Sequence, residues 1–320
     1  MTESLQAIIA LECFHKIQHN RNGRDDYCAY KLDLAKAYDR VDWGFMEEML
    51  LKLGFCKRWT NWVMQCVRSV SYSVRCNGEL LEPFIPSRGL RQGDPLSPYL
   101  FLFVADGLVH LLKKEMAENS LTPLKIARNA PGISNLLFAD DSLIFFKATL
   151  EQAATIKGVL DTFQRSTGQL LSESKCSLLF SEVCPAESRE GIKKILGVQS
   201  DSFESKYLGL PTPEGRMKDD KFQPIMDRFG KRCSAWSEKF MSYAAKETHV
   251  KSVVQALPVY TMSVFMLSKG FCEKYERMIR KFWWGEEEDQ RKVHWMSWDR
   301  LTMPKRGGGI GFRDMHLFNQ

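Results

Sequence analysis

Apolar residues at Leu5, Ile8, Ile9 and Phe14 within Ser4–His15 keep helical spacing, and a polar stretch rich in Asn, Arg and Gly comes next as a loop over Gln18–Asp26. Tyr27–Leu34 has the near-continuous apolar run of a buried strand. Trp43–Leu53 then predicts a helix stopped by Gly54, and Arg58–Val67 a second one. Short strands over Tyr72–Cys76 and Leu80–Phe84 flank Asn77-Gly78, a dipeptide suited to hairpin turns. Pro98–Leu112 predicts a helix with Ser97 as N-cap and Pro98 at the first helical position. Asn135–Lys147 reads as two short apolar strands about a tight turn, Leu150–Ser166 as an amphipathic helix and Lys175–Phe180 as a strand. Beyond Tyr207–Pro211 a stretch punctuated by Pro and Gly runs to Gly215 and leads into helices without obvious strands. There Tyr275, Met278, Ile279, Phe282 and Trp283 form the stripe of a helix that packs on others. The pattern therefore predicts an α+β domain over residues 1–213 and an α-helical region over 214–320.

Composition adds limits. The 320 residues are 44% apolar and 26% charged, as in an ordinary globular chain. Met1-Thr2-Glu3-Ser4 opens no signal peptide, and the longest apolar run, Tyr99 to Val104, is cut by Asp106 well short of a membrane span. The nine cysteines lie singly, with no C-x-x-C pair, which argues against a zinc knuckle or a disulfide framework and suits a reducing compartment. Acidic and basic residues balance at 25 each in 1–213, whereas 214–320 holds 20 Lys and Arg against 14 Asp and Glu. A polyanionic partner is compatible with that excess, as is a merely solvated basic face.

Three features carry chemistry. Phe138-Ala139-Asp140-Asp141 sits between the apolar pairs Leu136-Leu137 and Leu143-Ile144, and adjacent carboxylates there need either solvent or a cation. Asp33 falls near the end of the strand in Lys31-Leu32-Asp33-Leu34-Ala35-Lys36-Ala37-Tyr38-Asp39. Carboxylates from two separate strands are what a pair of Mg²⁺ ions needs for an in-line displacement at phosphorus. Between them lies Arg88-Gly89-Leu90-Arg91-Gln92-Gly93-Asp94-Pro95-Leu96-Ser97-Pro98. Its glycines permit close backbone approach, Gln92 can face a base or sugar edge, and Arg88 and Arg91 can grip phosphates.

In this order the three resemble the palm motifs of reverse transcriptases from non-LTR (LINE-type) retrotransposons, most similarly the plant elements. Asp33-x-x-x-Ala37-Tyr38-Asp39 resembles motif A, Arg91–Pro98 motif B, and Phe138–Asp141 motif C. Gly168-Gln169-Leu170 with Ser172 and Lys175 is similar to motif D, and Tyr207-Leu208-Gly209 to motif E. The run from Trp236 to Phe318 resembles the region beyond the palm in the plant elements. The resemblance implies an α+β right-hand polymerase palm with partial fingers and a helical thumb-like region. It implies an RNA-directed DNA polymerase using two Mg²⁺ ions (Mn²⁺ an alternative), dNTPs, an RNA template and a DNA primer. Asp33 and Asp140 become direct metal ligands with Asp141 assisting. Leu34, Tyr38, Gln92 and Gly93 meet the incoming nucleotide, Tyr38 excluding a 2′-hydroxyl. Lys175 becomes a candidate general acid for the leaving pyrophosphate, although Glu173 or Ser174 stands where the family usually has Asn. Arg88, Arg91 and the Tyr207-Leu208-Gly209 hairpin face nucleic acid.

The family pattern also has an endonuclease domain first, further finger segments before motif A and a Cys/His-rich tail, and this sequence is expected to lack them, beginning at a point that corresponds to the last finger helix. The expectation is therefore a truncated copy, either a working polymerase or a relic that at most binds nucleic acid. An intron-type maturase is the more distant alternative. The resemblance implies nuclear action, yet no Lys/Arg-rich localisation run is present, so nuclear or cytoplasmic, not secreted, is as far as the sequence goes.

Overall fold

The structure, a computed structural model, describes residues 3–20, 26–200, 202–213, 217–233, 241–285 and 292–320. Its elements begin with α1 (Glu3–Gln18), β1 (Tyr27–Leu32), α2 (Trp43–Lys52) and α3 (Lys57–Arg68). The small hairpin β2 (Arg75–Cys76) and β3 (Glu79–Leu80) precedes α4 (Ser97–Ala117). Then come β4 (Asn135–Phe138), β5 (Asp141–Lys147), α5 (Leu150–Thr167), β6 (Ser177–Phe180) and α6 (Ala186–Leu196). The hairpin β7 (Lys206–Tyr207) and β8 (Leu210–Pro211) is followed by α7 (Gln223–Cys233), α8 (Tyr243–Ser252), α9 (Val259–Met262), α10 (Lys269–Trp284), α11 (Trp298–Thr302) and α12 (Met315–Phe318).

The chain divides into two compact units, Ile9–Glu204 and Met1–Ile8 with Ser205–Gln320. The β7–β8 hairpin goes with the helical unit because Tyr260 donates its hydroxyl to the Leu208 carbonyl at 3.0 Å. Glu214 and Trp236, where the sequence reading starts its second region and its plant-like run, lie outside the described residues, as does most of the expected loop over Gln18–Asp26.

In the Ile9–Glu204 unit an antiparallel sheet is ordered β4-β5-β1-β6. The two central strands are β1 and β5, paired from Tyr27↔Lys147 to Leu32↔Ser142. Because side chains alternate across a strand, this register gives the two faces different jobs. Cys28, Tyr30, Leu32, Ile144, Phe146 and Leu178 turn to one side and join a core with Met46 and Leu50 of α2, Leu100 and Val104 of α4, and Leu160 and Phe163 of α5. On the other face Phe145 meets Phe14 of α1, with ring centroids 6.5 Å apart. Lys31 and Asp141 lie on that second face. Fixing the central strands by two apolar layers is what holds their ends, and the acids at them, in place.

Local signals account for most boundaries. The Asp42 side chain accepts from Phe45 N at 2.8 Å and caps α2, a contact that stabilises a helix by about 1 kcal/mol. Thr149 caps α5 in the same way, accepting from Gln152 N. Ser97, expected as the cap of α4, is instead its first residue and buried; Leu96 holds the cap position, and Asp94 accepts from Leu96 N at 2.9 Å. That helix runs past the expected end at Leu112, to Ala117. The strand expected over Lys175–Phe180 starts only at Ser177, since Lys175 and Cys176 both donate their N–H to the Ser172 carbonyl in a turn.

The helical unit has its own core, built from Ile225 and Phe229 of α7, Val250 of α8, Phe271, Tyr275, Ile279 and Trp283 of α10, and Leu301. The expected stripe on α10 is its packing face: Tyr275 and Ile279 are fully buried.

Candidate active site

Asp33 leaves the end of β1, and Asp140 and Asp141 stand at the β4–β5 turn. The β1–β5 register ends at Leu32↔Ser142, so Asp33, the next residue after β1, and Asp141, the first of β5, fall at the same end of the sheet. The turn is tight: Phe138 pairs with Asp141, leaving Ala139 and Asp140 as its two residues. Ala139 takes φ 52°, a left-handed conformation that costs an L-residue about 1 kcal/mol and that the hairpin imposes here. It leaves Asp140 exposed and Asp141 half-buried at the start of β5.

Asp33 is held by the segment resembling motif D. Ala35 N donates to Leu170 O at 2.8 Å, Ser172 N to Asp33 O at 2.8 Å, and Asp42 N to Thr167 O at 3.0 Å. Gln169, fully buried, donates its side-chain amide to Ala37 O at 2.8 Å. The Lys175 ammonium reaches to 3.9 Å of the Asp33 carboxylate while remaining largely exposed.

The loop resembling motif B docks on the segment Tyr38–Trp43 that follows Asp33. Gly89 N donates to Val41 O and Leu90 N to Tyr38 O, both at 2.8 Å, and Trp43 Nε1 donates to Gly89 O at 2.8 Å. A Cβ on Gly89 would stand 2.8 Å from the Asp39 carbonyl oxygen, at φ +92°. Gly93 differs: at φ +86° its missing side chain faces open space. Gln92 donates to Asp39 Oδ1 at 3.3 Å, which ties the two motifs on the exposed side. The Tyr38 ring stacks on Phe101 of α4 at 5.0 Å, and burial with the Asp140 charge nearby raises its phenol pKa.

Charge at the sheet end is mixed. Lys31, buried in β1, pairs with Asp141 at 3.6 Å and with Glu204. Burial raises the Asp141 carboxyl above its ordinary range; the Lys31 ammonium opposes this, and the Asp140 and Glu204 charges add to it. No three His, Cys, Asp or Glu side chains among the described residues converge as a ready-made metal cage. Yet the donors fit Mg²⁺, which takes one or two carboxylates and completes its shell with water and substrate phosphates.

Among the remaining expected residues, Leu34 packs its half-buried side chain on the core of the Ile9–Glu204 unit and bridges Leu171. Arg88 is exposed. Arg91 is committed to Asp94, donating Nε to Oδ2 at 3.0 Å, and the pair holds the Asp94 carboxyl below its usual range. Tyr207 is buried, while half-buried Leu208 and exposed Gly209, with φ 47° and 74°, form the turn of the β7–β8 hairpin. They belong to the other unit. The sequence reading missed Lys31 and Glu204. The signal for Lys31 was present: a lysine inside an otherwise apolar strand has to find a counter-charge.

Residues 1–212 match the family model described as "Reverse transcriptase (RNA-dependent DNA polymerase)". The chain belongs to the reverse transcriptase family. The retrotransposon Pol polyprotein of the type-2 element R2DM from Drosophila melanogaster is 31% identical over 234 residues, 68% of this chain and 20% of that protein. An Arabidopsis thaliana mitochondrial protein is 48% identical over 66 residues, 20% of this chain and 43% of its own length. The resemblance to non-LTR retrotransposon reverse transcriptases is thereby borne out, and with it the α+β fold. The chain spans less than half the length of these curated relatives. Among solved structures, telomerase from Candida tropicalis in complex with a telomeric RNA fragment matches 87% of this chain and 42% of its own. At 14% identity and a TM-score of 0.45 it is too distant to bear on the site. Among the described residues no helix is long and apolar enough to cross a membrane.

Proposed function

We propose that this chain is an RNA-directed DNA polymerase whose site is the sheet end carrying Asp33 and Asp140. The observation that supports this most strongly is the convergence of carboxylates from two strands, with the Gly89–Asp94 loop and Tyr38 docked beside them. Asp33 and Asp140 would hold Mg²⁺, which on binding lowers the pKa of an attacking hydroxyl and neutralises charge on the leaving group. Asp141 stands beside them.

The chain's own residues would orient the reactants. Tyr38, braced by Phe101, presents its ring where the sugar of a dNTP would stack, and a 2′-hydroxyl would collide with it. Gln92 and the open backbone at Gly93 would meet the nucleotide and template, leaving room for close approach. Lys175 is near enough to Asp33 to swing toward a departing pyrophosphate and protonate it. Arg88 would contact template phosphate; Arg91 would need to leave Asp94 to do the same. The 205–320 unit would act as thumb, its basic helices tracking the template–primer phosphates with salt-dependent affinity. There the tip of the β7–β8 hairpin, rather than the buried Tyr207 ring, would touch the primer.

The test is primer extension on an RNA template with dNTPs and Mg²⁺, comparing wild type with Asp33→Ala and Asp140→Ala. Extension that disappears in both variants supports the proposal. No extension by wild type, with salt-sensitive template–primer binding kept, makes the chain a non-catalytic binder.

A further inference from the structure

Lys31 is the anomaly of the palm. It lies between Tyr30 and Leu32 in a strand that is otherwise apolar, and only 8% of it is exposed. A buried ammonium is tolerated only with counter-charges, and removing one partner of such a set is costly because it leaves the other unpaired. Its two partners are Asp141, at 3.6 Å, and Glu204. The Asp33 carboxylate differs: its lysine, Lys175, has a side chain 70% exposed and stands 3.9 Å away, free to leave at little cost. Asp140, exposed at the turn, has no ion pair among the described residues.

We propose that Lys31 is a positioning residue that keeps Asp141 bound to itself and out of the metal's ligand set, so that a divalent ion is held by Asp33 and Asp140 alone. This deepens the polymerase reading and rests on it. The fixed cation also explains how three carboxylates, Asp33, Asp140 and Asp141, fit at one sheet end with Glu204 near without repelling the strands apart. Glu204 completes the arrangement by giving Lys31 a second partner, which holds the ammonium on the site face of β1.

The test uses the full chain and Mn²⁺ alone, with free ion followed by its electron paramagnetic resonance signal. Asp33→Asn and Asp140→Asn each weaken binding at least tenfold, and Asp141→Asn changes it less than threefold. In a Lys31→Met background, where Asp141 is released, Asp141→Asn weakens binding at least tenfold, and Lys31→Arg restores the insensitivity. Asp141→Asn weakening wild-type binding as much as Asp140→Asn overturns the assignment while leaving the polymerase reading intact. That comparison needs no change at Lys31, so it decides the matter even if Lys31→Met fails to fold. Wild type that takes up no Mn²⁺ overturns the assignment, and primer extension then decides the polymerase reading.

Discussion

Gly89 and Gly93 share a loop and a left-handed backbone, yet the structure gives them opposite roles, and one pair of substitutions separates them. In Gly89→Ala the new Cβ meets the Asp39 carbonyl oxygen at 2.8 Å, inside contact distance, on backbone that cannot move without opening the dock. The φ of +92° alone costs an alanine about 1–2 kcal/mol. Relieving the collision loosens the bonds from Gly89 N to Val41 O and Leu90 N to Tyr38 O, each contributing about 0.5–1.5 kcal/mol. The expected loss is therefore about 2–5 kcal/mol. Gly93→Ala meets nothing within 4 Å and loses only the conformational part, about 1–2 kcal/mol. On the proposed placement of the nucleotide beside Gly93, the added methyl group raises KM for dNTP. Urea unfolding followed by tryptophan fluorescence reads the first effect from the midpoint at constant slope; steady-state incorporation reads the second. If Gly89→Ala is no more than 0.5 kcal/mol worse than Gly93→Ala, the close dock between the two loops is wrong.

Tyr38→Ala opens the space beside Phe101 and admits ribonucleotides; unchanged discrimination between dNTP and rNTP in single-nucleotide incorporation removes Tyr38 from the sugar. Lys175→Ala slows incorporation by about 100-fold or more if its ammonium donates the proton, with template–primer Kd unchanged; equal single-turnover rates return it to the surface. In the helical unit, Glu276 accepts from Met315 N at 2.8 Å, and burial raises its carboxyl above the usual range. The folded state therefore holds its proton longer than the unfolded one, and this group's contribution to stability falls as pH rises from the ordinary Glu range through the raised value. Glu276→Gln keeps the acceptor, so the variant gains in Tm over wild type as pH goes from 4 to 8; a difference that stays flat shows that Glu276 is not titrating this way.

The parts of the fold carried by periodicity were legible. Tyr27–Leu34 reads as a buried strand because β1 is covered on both faces, and the spacing of Tyr275, Ile279 and Trp283 reads as the packed side of α10. Asn77-Gly78 and the Ala139-Asp140 turn were legible because hairpin chemistry is local. The features that the pattern did not predict have non-local causes. The helix α6 over Ala186–Leu196 is mostly polar and buries only Ile192 and Leu196 fully, too sparse a stripe to stand out. Ser97 has the chemistry of a cap, yet the loop before it lets Asp94 hold the chain instead. The β7–β8 turn is held by Tyr260, far along the chain. For the candidate site, the acids could be found because they interrupt apolar strands, whereas the partners of Lys31 depend on the sheet register and on the return of the chain at Glu204.

The most direct test of the central claim is single-turnover addition of one dNTP to a primer on an RNA template by wild type and by Asp140→Asn, with folding of both checked by circular dichroism. The account predicts addition by wild type in Mg²⁺ and its loss in the variant, which keeps shape and hydrogen bonding but not the ligand charge. Addition at comparable rates by both would contradict it.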